Sequence, residues 1–100
     1  MLTHEKLMDF EAQRGVLKIP IYLFDKGGGN EVVTQKIRED LDGMGNAVAD
    51  RSIGILLKYN LIHERKGREG KRPAKYYSLT DKGTSFVQTL LELERILDEE

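Results

Sequence analysis

Apolar positions recur with helical period over several stretches of the chain, and glycine clusters separate those stretches. Leu2 to Gln13 carries Leu7, Met8 and Phe10 on a charged background, with Thr3 placed to cap a helix and Arg14-Gly15 to stop it. Val16 to Phe24 is the most apolar stretch. Pro20 governs where its helix begins, because a proline beyond the first turn removes one hydrogen bond and clashes with the preceding turn, at a cost of about 3 kcal/mol. The helix is therefore expected to start near Leu17, to present Leu17, Ile21 and Phe24 with Tyr22 and Leu23 beside them, and to end at Lys26-Gly27. A continuous helix kinked at Pro20 is the alternative. Gly27 to Asn30 reads as a turn, since no strand precedes it and no Gly-Lys-Ser/Thr follows as a phosphate loop requires.

Glu31 to Val33 is expected to be briefly extended. Thr34 then caps a short helix through Leu41, with Val33, Ile37 and Leu41 on one face. Asp42 to Asn46 is the next turn, and Asn46 the expected cap of a helix from Ala47 to Tyr59. That helix turns Ala49, Ile53, Leu56 and Leu57 inward and leaves Ala47, Asp50, Arg51, Gly54 and Lys58 outside. Leu61 to His63 and Tyr76 to Leu79 read as two short strands around a polar, glycine-bearing break from Lys66 to Ala74. Thr80 is placed to cap a final helix from Asp81 to Leu97. Phe86, Leu90, Leu93 and Leu97 follow 4, 3, 4 spacing there, while Val87, Leu91 and Ile96 widen the stripe beyond what one core face needs. The surplus predicts a symmetric homodimer, with cover by the N-terminal helix as the alternative. Asp98 to Glu100 oppose the helix dipole, so the last turn should fray.

Composition narrows the function. One hundred residues, 39% apolar and 33% charged, suit one domain. No apolar run approaches the roughly 20 residues of a membrane span and no signal pattern opens the chain, so a cytoplasmic protein is expected. With no cysteine there is no disulfide, no thiolate nucleophile and no Cys-ligated metal. His4 and His63 stand far apart without a carboxylate at ligand spacing, so no metal is expected. The sequence offers no Ser-His-Asp constellation, no cofactor fingerprint and no carboxylate pair in an apolar setting; neither an enzyme nor a cofactor is expected. The net charge of -1 conceals an asymmetry: residues 58 to 77 hold seven Lys or Arg against two Glu, a local charge of +5, and the remainder carries -6. Phosphate responds to local potential, so the basic segment points to nucleic acid.

Two runs carry a family resemblance: Tyr59-Asn60-Leu61-Ile62, closing the third core helix, and Arg72-Pro-Ala-Lys-Tyr-Tyr-Ser-Leu-Thr-Asp-Lys-Gly83, leading from the hairpin into the last helix. With the order helix, helix, turn, helix, hairpin, helix, they resemble the winged helix-turn-helix DNA-binding domains of microbial transcription regulators. The second run looks like the wing of PadR-like regulators, and MarR-like and small archaeal winged-helix proteins carry similar Leu-Thr-x-x-Gly endings. The first half lacks the PadR-like core-helix pattern.

The resemblance implies a mostly helical α+β fold in a single domain. Residues 1–15 would be an N-terminal helical extension, 16–80 a three-helix core with a β-hairpin wing, and 81–100 a C-terminal, dimerising helix. It implies double-stranded DNA as partner, with Asn46, Ala47, Asp50 and Arg51 at base edges and Arg51 suited to guanine O6 and N7. Asp50 repels phosphate, yet a carboxylate there can accept from cytosine N4 or orient Arg51. Thr34, Gln35, Lys36, Lys58, Arg65, Arg68, Lys71, Arg72 and Lys75 are the expected backbone and wing contacts. Phe10, Phe86, Leu90, Leu93 and Leu97 are the expected dimer interface. A second reading is a winged-helix protein-interaction module, favoured by Asp50 and the acidic remainder and opposed by the +5 hairpin.

Overall fold

The computed structural model describes residues 3–12, 15–27, 30–41 and 45–99. Helix α1 spans His4–Ala12, and its start is secured by Thr3, whose Oγ1 accepts from the Lys6 amide at 3.3 Å. Of the expected stop, Arg14 lies outside the described residues. Gly15 is not a stop at all: it opens α2, Gly15–Tyr22, which continues into a π-helical turn, Leu23–Gly27.

The core helix thus starts two residues before the expected Leu17, and Pro20 sits in its interior. The reason is packing. A Cβ at Gly15 would come within 2.5 Å of Ser52 Oγ on the third core helix, so this backbone lies flat against its neighbour. That contact sets the phase. Val16, Ile19, Pro20, Tyr22 and Leu23 are buried, whereas Leu17 is 40% exposed and Ile21 and Phe24 are half-buried, against the expected inward set. Burial of these side chains offsets the bond missing at Pro20. The helix runs on through the proline, close to the kinked alternative.

Strand β1, Val32–Val33, is the expected extended segment; the glycines at 28 and 29 before it lie outside the described residues. Helix α3, Thr34–Asp40, follows with Ile37 buried and Val33 and Leu41 half-buried. Thr34 does not cap it. Val33 holds the cap position, and the Thr34 hydroxyl instead donates to the Lys75 carbonyl at 2.9 Å, tying the helix to the hairpin. At the other end the Tyr22 hydroxyl donates to Asp40 Oδ2 at 2.6 Å.

Helix α4, Asn46–Lys58, buries Ala49, Ser52, Ile53 and Leu56. Its cap is Gly45 rather than the expected Asn46, and 42–44 lie outside the described residues. The helix ends in a paired stop: Leu61 N donates to Leu56 O at 2.9 Å, Asn60 N to Leu57 O at 3.0 Å, and Asn60 adopts φ 58°. Asparagine tolerates that left-handed conformation better than most residues.

Strands β2, Ile62–Glu69, and β3, Arg72–Leu79, are longer than expected, joined by the two-residue turn Gly70-Lys71. The segment 66–74, read as a loop, is almost wholly strand. Antiparallel pairing begins at buried Ile62 opposite half-buried Leu79 and is carried outward through Lys66↔Lys75 to Glu69↔Arg72, although most side chains there are polar and exposed. The sheet order is β1-β3-β2, with Val32 opposite Tyr77 and Val33 opposite Tyr76.

Helix α5, Asp81–Leu97, has the expected bounds and the expected cap. Thr80 Oγ1 accepts from Gly83 N at 2.8 Å and donates to Asn60 O at 2.7 Å. A Cβ at Gly83 would lie 1.9 Å from Leu61 O, so the helix start presses directly on the backbone that leaves α4. The core gathers where α2, α3, α4 and the base of the hairpin meet, around Ile19, Leu23, Ile37, Leu56 and Ile62.

Candidate nucleic-acid interface

The outer face of α4 follows from its buried one. Ala49, Ser52, Ile53 and Leu56 point inward, so Ala47 and Gly54 lie near the middle of the opposite side, flanked by Asp50 and Arg51. All four are exposed, as is Asn46 at the first helical position. Nothing lies within 4 Å of where a Gly54 Cβ would be, so this strip is low and open.

Beside it, α3, α4 and the hairpin enclose an open cleft of about 930 Å³, lined among others by Gln35, Arg38, Asp50, Gly54, Lys66 and Lys75. Its carboxylates are largely occupied. Arg38 Nη2 donates to Asp50 Oδ1 at 2.6 Å. Glu64 accepts from the Tyr77 hydroxyl at 3.3 Å and lies 3.4 Å from Lys75 Nζ. Glu69, near the hairpin tip, is the remaining acid of the lining.

The hairpin register sorts its cations by face. Ile62, Glu64, Lys66 and Arg68 alternate along β2 with their partners Leu79, Tyr77, Lys75 and Pro73 on the face that begins in the core. Lys66 and Lys75 therefore stand directly opposite one another, an arrangement of like charges that weakens a sheet and that Glu64 offsets on the Lys75 side. Among the described residues, Arg51, Lys66, Arg68, Lys71 and Arg72 form no ion pair.

Arg65 belongs to the other face. Its Nε lies 2.7 Å from Glu31 Oε2 and its guanidinium 4.5 Å from the Tyr76 ring centroid, and the hydrogen bond with Glu31 raises its pKa. Lys58 is likewise committed elsewhere: its Nζ contacts Glu5 Oε1 at 3.0 Å and Asp9 Oδ2 at 2.9 Å on α1. These bonds, Asp9 first, raise the Lys58 pKa, and Lys58 in turn holds the Asp9 carboxyl below its ordinary range. The expectation that both cations face a ligand with the rest of the wing is not met in this geometry. At the start of α3, Thr34 is tied to Lys75, Gln35 donates to Glu39 at 3.0 Å and Lys36 pairs with Asp40 at 3.3 Å. Asp50 contacts Arg38 rather than the expected Arg51.

Two residues of the cleft carry no local signal of their place in it. Arg38 is exposed as a partner of Asp50 only once α3 and α4 pack together. Lys66 is placed opposite Lys75 only by the register, for which the charged sequence gives no alternation signal.

The expected dimer residues divide. Phe10 stacks on Phe86 with centroids 5.6 Å apart and on Tyr59 at 5.3 Å, so both phenylalanines are engaged within the chain. Leu90 is half-buried. Leu93 and Leu97 are 51% and 76% exposed, with Leu91 and Ile96 exposed nearby on the same helix. Among the described residues no helix is long and apolar enough to cross a membrane.

No protein-family model matches the sequence, and no curated protein shows a significant sequence match. Solved structures do share the architecture. A protein described as a MarR-family transcriptional regulator from Porphyromonas gingivalis has a TM-score of 0.74 at 17% identity, covering 100% of this chain and 97% of that one. The protein ytfH of Salmonella typhimurium, described as a transcriptional regulator, gives 0.73 at 20% identity, covering 94% of this chain and 79% of that one. A protein of Archaeoglobus fulgidus gives 0.66 at 20% identity, covering 94% and 99%. With α2, α3 and α4 as its core, β2 and β3 as its wing and α5 packed behind, the chain adopts the winged helix-turn-helix fold that the MarR-type structure also shows.

Proposed function

We propose that the protein is a non-enzymatic, DNA-binding transcription regulator that works as a homodimer. The observation that carries this reading is the pairing of two surfaces: an open α4 face bearing Asn46, Ala47, Asp50 and Arg51, and beside it a hairpin with Lys66, Arg68, Lys71 and Arg72 free of ion pairs among the described residues. The first two turns of α4 enter the major groove, where the exposed Arg51 would pair through its guanidinium with guanine O6 and N7. The wing lies along the phosphates or in the neighbouring minor groove and supplies affinity and register. Lys58 and Arg65 act structurally in this arrangement. Two of the structures that share this fold are described as transcriptional regulators, which is consistent with it.

The homodimer rests on the apolar end of α5, Leu91, Leu93, Ile96 and Leu97, which α1 leaves exposed. Two-fold symmetry would then present two α4 helices to two half-sites.

Mobility-shift titration with a mixed-sequence duplex tests the reading. Binding that weakens as salt rises supports it. Absence of any shift at low salt overturns it and favours the protein-interaction module, for which the Glu64 and Asp50 carboxylates in the cleft are the specific argument.

A further inference from the structure

Arg38 and Asp50 form the one ion pair, among the described residues, that joins the two helices lining the cleft. We propose that this pair is a base-reading unit. Asp50 accepts a hydrogen bond from the N4 amino group of a cytosine in the major groove, while Arg38 fixes the carboxylate and cancels its charge. The inference rests on the DNA-binding reading above and names a specificity determinant within it.

Three observations carry it. Asp50 lies in the second turn of α4 with its side chain 61% exposed, at the edge of the open strip formed by Ala47 and Gly54. A carboxylate in that place, alone, would be repelled by the phosphates bordering a groove. Arg38 removes that repulsion, because its Nη2 approaches Oδ1 at 2.6 Å, within the range of a charge-assisted bond. The pair also leaves an acceptor free: Oδ2 has no hydrogen bond among the described residues.

The pair has little reason to exist for stability. Exposed ion pairs contribute weakly to folding. Arg38 is moreover held in a poorly satisfied state, with its Nε buried and without a partner among the described residues.

The chemistry then selects the base. An ionised carboxylate only accepts. In the major groove cytosine presents a lone amino donor, thymine presents an acceptor and a methyl group, and guanine presents two acceptors. Adenine sets its amino donor beside the N7 acceptor, which opposes a second carboxylate oxygen. Cytosine is the base that matches. Arg38 is a positioning residue in this scheme and need not touch the DNA.

Selection of bound duplexes from a pool with a randomised centre tests the inference, run in parallel with the parent and the Asp50→Asn variant. The parent should enrich a motif with a fixed cytosine, preferred over thymine at that position by roughly 5- to 150-fold. Asp50→Asn should lose that preference and turn toward adenine, because a carboxamide both donates and accepts and pairs with N6 and N7. A merely structural role would not change the identity of a base. Arg38→Ala should weaken binding to every duplex by leaving the carboxylate uncompensated, and Arg38→Lys should restore part of the loss. Identical motifs from parent and Asp50→Asn pools overturn the inference. Salt-dependent retention without any enriched motif also overturns it, while leaving DNA binding intact. If neither protein retains DNA, the DNA-binding reading fails and the inference falls with it.

Discussion

At Thr80 one hydroxyl serves two neighbours, accepting from Gly83 N to cap α5 and donating to Asn60 O where α4 ends, while its own amide donates to Leu61 O at 3.1 Å. The Leu-Thr-x-x-Gly ending visible in the sequence is thereby explained as a joint between the two helices. Thr80→Ala should lower stability by about 1–2 kcal/mol in urea denaturation, the range for a lost cap. Gly83→Ala should cost more, about 3 kcal/mol, because the new Cβ meets a backbone oxygen that cannot swing aside. The reverse ranking would contradict this account of the joint. Tyr22 offers a pH test. Burial, with the Asp40 carboxylate second, pushes its hydroxyl from an ordinary 10.0 to about 12. Its raised value means that the stabilisation is fully present below pH 10 and lost as pH climbs toward about 12. The same bond holds the Asp40 carboxyl below its usual range, and that contribution is lost as pH falls into acid. Tyr22→Phe should flatten both limbs of the stability profile, and an unchanged alkaline limb would exclude Tyr22 as its source.

Elements were legible where capping and periodicity agreed. The final helix spans Asp81 to Leu97 as its pattern predicts, because Thr80 marks its start and the 4, 3, 4 spacing marks its face. The phase of the core helix is not legible for a physical reason: Ile19 to Phe24 is apolar on every side, so periodicity does not choose a face, and the contact of Gly15 with Ser52 does. Thr34 and Asn46 show the limit of capping signals. Each has the right chemistry, yet Val33 and Gly45 hold the cap positions, and the Thr34 hydroxyl is drawn to Lys75 across the fold. The wing strands are longer than their pattern predicts because both faces are polar toward the tip. Their register creates the Lys66–Lys75 opposition, and this makes a two-signed prediction. Lys66→Glu should stabilise the hairpin by about 0.2–1 kcal/mol by pairing with Lys75, while weakening DNA binding. Thermal denaturation and fluorescence anisotropy on the same samples check the two signs; an unchanged affinity would mean that Lys66 does not face phosphate.

For the molecule as a whole, charge and apolar surplus are visible in the sequence, and the fold places them on particular surfaces. The base-contact candidates Asn46, Ala47, Asp50 and Arg51 share one exposed helix face, as helical spacing alone requires. The wider phosphate set does not stay together, because Lys58 is bound to α1 and Arg65 turns to Glu31 and Tyr76, contacts between distant segments that no local pattern encodes. The apolar surplus of α5 is only partly met by Phe10 against Phe86. Replacing Leu90 and Leu93 with Lys should therefore convert a dimeric parent into monomers by light scattering; a parent already monomeric would contradict the proposed assembly.

The most direct test of the central claim, that the α4 face and the wing bind DNA together, is the salt dependence of binding to mixed-sequence duplex. Affinity of the parent should fall linearly on a log–log plot. The Arg68→Ala, Arg72→Ala double variant should bind more weakly at every salt concentration, with a slope shallower by about one for each phosphate contact removed. A parent and double variant with the same affinity and the same slope would show that the wing does not meet phosphate.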